Sequence, residues 1–73
     1  MMDHHYHINI FWSKEDKVWI ADVPDLKPCS AHGDTPAEAI AEVQVAIGLW
    51  LDFAREHGHS IPEARYRPAI YAA

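Results

Sequence analysis

The stretch Thr35-Pro36-Ala37-Glu38 constrains this chain more than any other. It offers a hydroxyl that can cap, a proline at the first helical position and a glutamate three residues after the threonine, which together make a capping box. No proline follows until Pro62, and Gly58 supplies the left-handed residue on which helices end. A helix is therefore predicted from Pro36 to His57, roughly 33 Å long. Glu38 lies in its first turn, and Arg55 and His57 in its last, each at the end where the helix dipole favours its charge. Projected at about 100° per residue, Ile40, Val43, Ile47, Trp50, Leu51 and Ala54 fall on one side, wide enough to cover one face of a small sheet. The opposite side carries Glu38, Glu42, Asp52 and Glu56, but also Val45 and Leu49, with Phe53 at its edge. Single exposed apolar side chains are ordinary on a monomer; three of them on one helix also read as a surface that another chain covers. Gly48, in mid-helix, costs about 1 kcal/mol against alanine.

What the helix must cover lies upstream. Tyr6, Ile8, Ile10 and Trp12 alternate with His7, Asn9 and Phe11 in the strand sense, which predicts a first strand over Tyr6 to Trp12. Ser13 to Lys17 is polar throughout, and alternation resumes at once in Val18 to Val23, so the two segments read as a hairpin. Pro24 and Pro28 then remove backbone donors and break the ladder, and a short third strand is predicted around Cys29 to His32. Beyond Gly58, residues His59 to Ala64 read as a loop, and Arg65 to Tyr71 as a last strand that Pro68 confines to an edge. Such an edge is a common route to oligomers and to peptide binding.

With 73 residues there is room for one domain, and a core this small is commonly extended by other chains, so a homo-oligomer is expected. Hydrophobic residues at 49% and charged residues at 23% give a globular composition with no membrane-length apolar run. The polar, histidine-bearing start does not look like a secretory signal, which makes a cytoplasmic address the default expectation. Cys29 is the single cysteine, so an internal disulfide is excluded and a small buried hydrophobe is the plain reading. Eleven acidic residues against six basic ones leave a net charge of −5, a field that repels phosphate backbones and suits a basic protein partner. Arg65 and Arg67 fall far short of a nucleic-acid footprint.

The ordered combination of Trp19-Ile20-Ala21-Asp22-Val23-Pro24-Asp25-Leu26, Gly33-Asp34-Thr35-Pro36-Ala37-Glu38-Ala39, Leu49-Trp50-Leu51 and Gly58-His59-Ser60-Ile61-Pro62-Glu63 resembles the HicB-like antitoxin domain. The match runs from the first strand to about Glu63. It departs from the family's usual Pro-Gly-Cys before the third strand, where this chain has Lys27-Pro28-Cys29. Fuller family members continue into a DNA-binding segment, whereas this sequence ends at Ala73, so no DNA binding by the chain alone is expected. The resemblance implies an α+β, partial ribonuclease-H-like β-β-β-α-β fold: an antiparallel meander, one long helix packed on it, and a C-terminal edge strand. It also implies a partner, a small basic HicA-like ribonuclease toxin that the domain would bind and neutralise. The alternative is an orphan homo-oligomeric or ligand-binding module of the same fold. Val45, Leu49 and Phe53, with Tyr66 and Ile70 of the last strand, are the candidate protein-interaction surface.

Catalysis finds little support. Two-metal phosphodiester hydrolysis needs carboxylates converging on cations about 4 Å apart; Asp22, Glu38 and Glu42 are the available acids, and the first strand has none. His5 and His7 fall on one face of an extended chain at a spacing that can chelate a metal, but at a terminus without supporting groups. No serine or cysteine nucleophile has a recognisable base beside it. The expectation is a non-enzyme with no catalytic residues, metal or cofactor.

Overall fold

The computed structural model describes residues 5–66. Three strands, β1 (Asn9–Ser13), β2 (Val18–Asp22) and β3 (Ser30–Gly33), form an antiparallel sheet in the order β1-β2-β3, and one helix, α1 (Pro36–Glu56), packs on it. The fold is α+β, as the sequence predicts. Ser13 and Val18 close the hairpin. Its turn is held by the Lys17 amide donating to the Ser13 carbonyl at 2.7 Å and the Asp16 amide donating to Ser13 Oγ at 3.2 Å. Lys17 takes a left-handed φ of 56°, an uncommon conformation for a residue with a side chain.

The first strand begins later than the alternation suggests, at Asn9 rather than Tyr6. Continuing the register from Asn9 opposite Asp22 would set His7 opposite Pro24, which has no amide to give. The second strand stops at Asp22 for the same reason. Val23 instead donates to the Cys29 carbonyl at 3.0 Å, on the way into β3, and the connecting loop includes a cis peptide between Lys27 and Pro28. Tyr6 and Ile8 still pack on the core although they lie outside the ladder.

Pairing fixes which side chains meet the helix. Ile10, Ala21 and Ala31 share a cross-strand row, and Trp12, Trp19 and Gly33 share the next but one, so these residues lie on one face. The core joins Ala21, Val23, Leu26 and Cys29 to Ala39, Val43, Ile47 and Leu51, all buried. No polar or charged residue is buried among the described residues. Each fully buried aliphatic side chain contributes about 1.5–3 kcal/mol. Trp12 lies on the helix side of β1 yet is 47% exposed. It packs edge-on against Trp19, centroids 5.7 Å apart, at the margin of the sheet.

The predicted core stripe is right at Val43, Ile47, Leu51 and Ala54, which are buried, and Trp50 packs beside them. It is wrong at Ile40, which is 38% exposed, while Ala39 is fully buried. Gly33 explains the exchange. A Cβ there would lie 2.6 Å from both the Ala39 nitrogen and Glu38 Cβ, so the first turn of α1 rests directly on the end of β3. Only a small side chain fits beneath that turn.

Both helix ends are closed as the sequence proposes. Thr35 Oγ1 accepts the Glu38 amide at 3.1 Å, and the Glu38 carboxylate accepts in return, though from the Asp34 amide rather than that of Thr35. At the other end Gly58 has φ of 68°; its amide donates to the Arg55 carbonyl and that of His59 to the Ala54 carbonyl, the pattern of a Schellman motif. The last strand expected over Arg65 to Tyr71 falls mostly outside the described residues, and within them Arg65 and Tyr66 are irregular.

Candidate functional site

Along α1, Glu38, Glu42, Val45, Leu49 and Phe53 recur at intervals of three and four and therefore lie in one stripe. The stripe is outside the core: Val45 is 54%, Leu49 65% and Phe53 58% exposed. It is also sorted, with carboxylates over the first turns and apolar side chains beyond them. Three of the five residues predicted to form an interaction surface are thus brought together on one flank.

The other two are not. Tyr66 sits beside the start of the sheet's opposite edge, its ring 4.7 Å from that of His7. Ile70 lies outside the described residues. Tyr66 belongs to an irregular segment fixed by polar contacts: Asp25 Oδ2 accepts the amides of Arg65 and Tyr66, both at 3.0 Å, and the Tyr6 hydroxyl donates to the Pro62 carbonyl. Burial pushes the Tyr6 phenol above its ordinary value, and the Asp25 carboxylate adds to the rise, partly offset by Arg55.

Beside the apolar stripe runs a groove of about 600 Å3, walled by β3 on one side and by Glu38, Glu42, Val45 and Leu49 on the other. A second hollow of about 340 Å3 adjoins it through Ser30, Ala46 and Leu49 and reaches Pro28 and Phe53. Phe53 in turn packs at a tilt against His57 and lies parallel to His59, with centroids 4.2 and 6.2 Å away. Helical projection finds the apolar members of this stripe. The groove escapes it, because β3 comes alongside the helix only in the folded chain.

The residues weighed for catalysis lie apart. Asp22 pairs with Ser30 on the sheet face away from the helix, while Glu38 and Glu42 stand on the helix flank. His7 Nε2 is 2.7 Å from Asn9 Oδ1. Among the described residues no group of three or more His, Cys, Asp or Glu side chains could hold a metal ion. Cys29 is buried, and that burial, with the nearby Asp22 charge second, pushes its thiol above the ordinary value, away from thiolate reactivity. No described helix is long and apolar enough to cross a membrane.

A three-stranded antiparallel sheet with one capped helix on a single face, a dry aliphatic core and an apolar flank left outside defines a small α+β domain of β-β-β-α order. The family described as the HicB-like antitoxin of bacterial toxin-antitoxin systems matches residues 6–70, and the chain belongs to that family. That description places the family in bacterial toxin-antitoxin systems. A UPF0150 protein of Synechocystis sp. is 34% identical over 44 residues, 60% of this chain and 60% of its own length. A UPF0150 protein of Thermoplasma acidophilum is 30% identical over 53 residues, 73% of this chain and 77% of its own. No solved structure matches significantly.

Proposed function

We propose that this domain binds a small, basic, HicA-like ribonuclease toxin and neutralises it by covering its active surface, with Val45, Leu49 and Phe53 at the centre of the contact. Family membership over residues 6–70 is the observation that carries the role. The surface is supported by the exposed apolar row on α1, and the sign of the partner by the net charge of −5. Apolar side chains desolvated at the middle of a contact supply most of its energy, while surrounding charges steer encounter and orientation. Inhibition on this reading is steric and electrostatic and needs no chemistry from the antitoxin.

The test is to look beside this chain's gene for one encoding a small basic protein, purify that protein, measure its cleavage of labelled RNA, and titrate in this domain; a gene neighbourhood without such a protein counts against the reading. Cleavage should fall to background near equimolar addition. Cleavage that persists in the presence of excess folded domain would sink the reading.

The same apolar row favours a second reading, a homo-oligomeric or ligand-binding module of this fold that has no toxin. Light scattering separates the two: a multimer that Leu49→Glu dissociates into folded monomers, with no effect on any ribonuclease, is the signature of the second.

A further inference from the structure

Among the described residues no strand pairs with the outer edge of β3, and the polarity of that edge is determined by the pairing. In an antiparallel ladder, residue pairs alternate between those that exchange hydrogen bonds across the strands and those whose backbone groups point away. Val23 donates to Cys29, so the pairs Val23 with Cys29, Ala21 with Ala31 and Trp19 with Gly33 are of the bonded kind. Ser30 and His32, opposite Asp22 and Ile20, are of the other kind. Their amides and carbonyls therefore point outward from the sheet, into the groove beside α1.

Both walls of that groove are ordered along its length. β3 runs antiparallel to α1, so its Gly33 end faces Glu38 and Glu42 with Asp34 beside them, and its Ser30 end faces Ala46 and Leu49. Among the described residues no lysine or arginine lines it. From Glu38 to Phe53 the helix advances about 22 Å, a length that about seven extended residues span.

We infer that the groove between β3 and α1 receives an extended strand of a basic protein partner, which pairs with the outward backbone groups of Ser30 and His32 and extends the sheet. The inference rests on the protein-binding reading above and deepens it. Alternate side chains of the incoming strand face the helix, basic ones against Glu38 and Glu42 and apolar ones against Val45 and Leu49. The other set lies on the open face of the sheet. Backbone pairing at a free edge supplies affinity, and the alternate side chains supply selection.

The probe is the peptide Lys-Thr-Arg-Thr-Val-Thr-Leu, with an acidic counterpart carrying Glu in place of Lys and Arg, titrated into the full chain labelled for amide NMR. The basic peptide should shift Glu42, Val45 and Leu49 and slow hydrogen exchange at the Ser30 and His32 amides; the acidic one should do neither. Glu42→Lys should weaken binding about fivefold, while Glu15→Lys, the same charge change in the β1-β2 turn, leaves it unaltered. Ser30 and His32 amides that exchange freely at saturating peptide, or equal weakening by the two charge variants, overturn the proposal. So does a dimer that protects those two amides without peptide. The functional reading fails separately: a neutralised ribonuclease whose complex leaves both amides unprotected removes strand addition alone. A peptide that protects them in a domain inhibiting no ribonuclease supports strand addition and removes the antitoxin assignment.

Discussion

The two long sides of α1 both carry apolar residues, five on one and three on the other, and put them to different use. On the sheet side Ala39, Val43, Ile47, Leu51 and Ala54 are buried and free of charge. On the flank beside β3, Val45, Leu49 and Phe53 remain more than half exposed and continue a line that begins with Glu38 and Glu42. A side whose residues already contact the sheet has its hydrophobic stabilisation inside the monomer; a side that stays wet keeps it for association. Substitutions on the first should therefore register as stability, and substitutions on the second as affinity.

The steepest loss is expected at the centre of the packed side. Ile47 is 2% exposed and belongs to the core shared by helix and sheet, so Ile47→Ala removes buried methylenes and leaves a cavity, for about 3 kcal/mol of destabilisation by denaturant titration. Gly33→Ala comes next, at about 2 kcal/mol, by the opposite mechanism: the added methyl meets backbone at Ala39 and forces the first helical turn off the sheet. Ile47→Ala should leave helix content intact at low temperature. Gly33→Ala should loosen the helix N-terminus, read as faster amide exchange at Glu38 and Ala39. If Gly33→Ala matched the wild type in stability, the close junction would be refuted.

Away from the helix the effects shrink. Asp25→Ala deletes the acceptor for the Arg65 and Tyr66 amides at a site open to water, and about 1 kcal/mol is expected, together with earlier proteolytic cleavage after residue 58. Tyr6 and Cys29 add a dependence on pH. Both groups are raised in the folded chain, so the stability they confer is complete below their ordinary values, roughly 10 for a phenol and 8.5 for a thiol, and is lost as pH climbs through the folded values. Denaturation midpoints should thus fall on the alkaline side, and Tyr6→Phe with Cys29→Ala should flatten that decline.

Local chemistry made the helix readable in advance. Thr35, Pro36, Glu38 and Gly58 each act within a few residues of their own position, and each does what its type predicts except that Glu38 reaches the Asp34 amide, one residue beyond the expected one. Strand limits were less legible because Pro24 ends the pairing of a segment far from it in sequence, and Tyr6 to Ile8 alternate without being in the ladder. Ile40 was misplaced because its exposure depends on how closely Gly33 lets the helix approach, a distance that periodicity does not contain. At the candidate surface Val45, Leu49 and Phe53 were legible for the same reason the core was, since helical spacing sorts both sides at once. The role of Asp25 and the groove along β3 were not, as each joins segments remote in the chain.

The smallest change in stability should come from the most consequential position for binding. Leu49 is 65% exposed, so Leu49→Glu removes little buried area and places a carboxylate where water already reaches, altering folding by no more than about 0.5 kcal/mol. At a contact with another protein the same carboxylate would be taken out of water among apolar groups with nothing to pair with, a penalty of several kcal/mol. Titration calorimetry against the basic partner should then show affinity reduced at least a hundredfold while the thermal midpoint hardly moves. Ile47→Ala should do the reverse, lowering the midpoint while the folded fraction still binds. Equal losses of stability in the two variants would mean that the flank is part of the core, and the division between the two sides of the helix would fall.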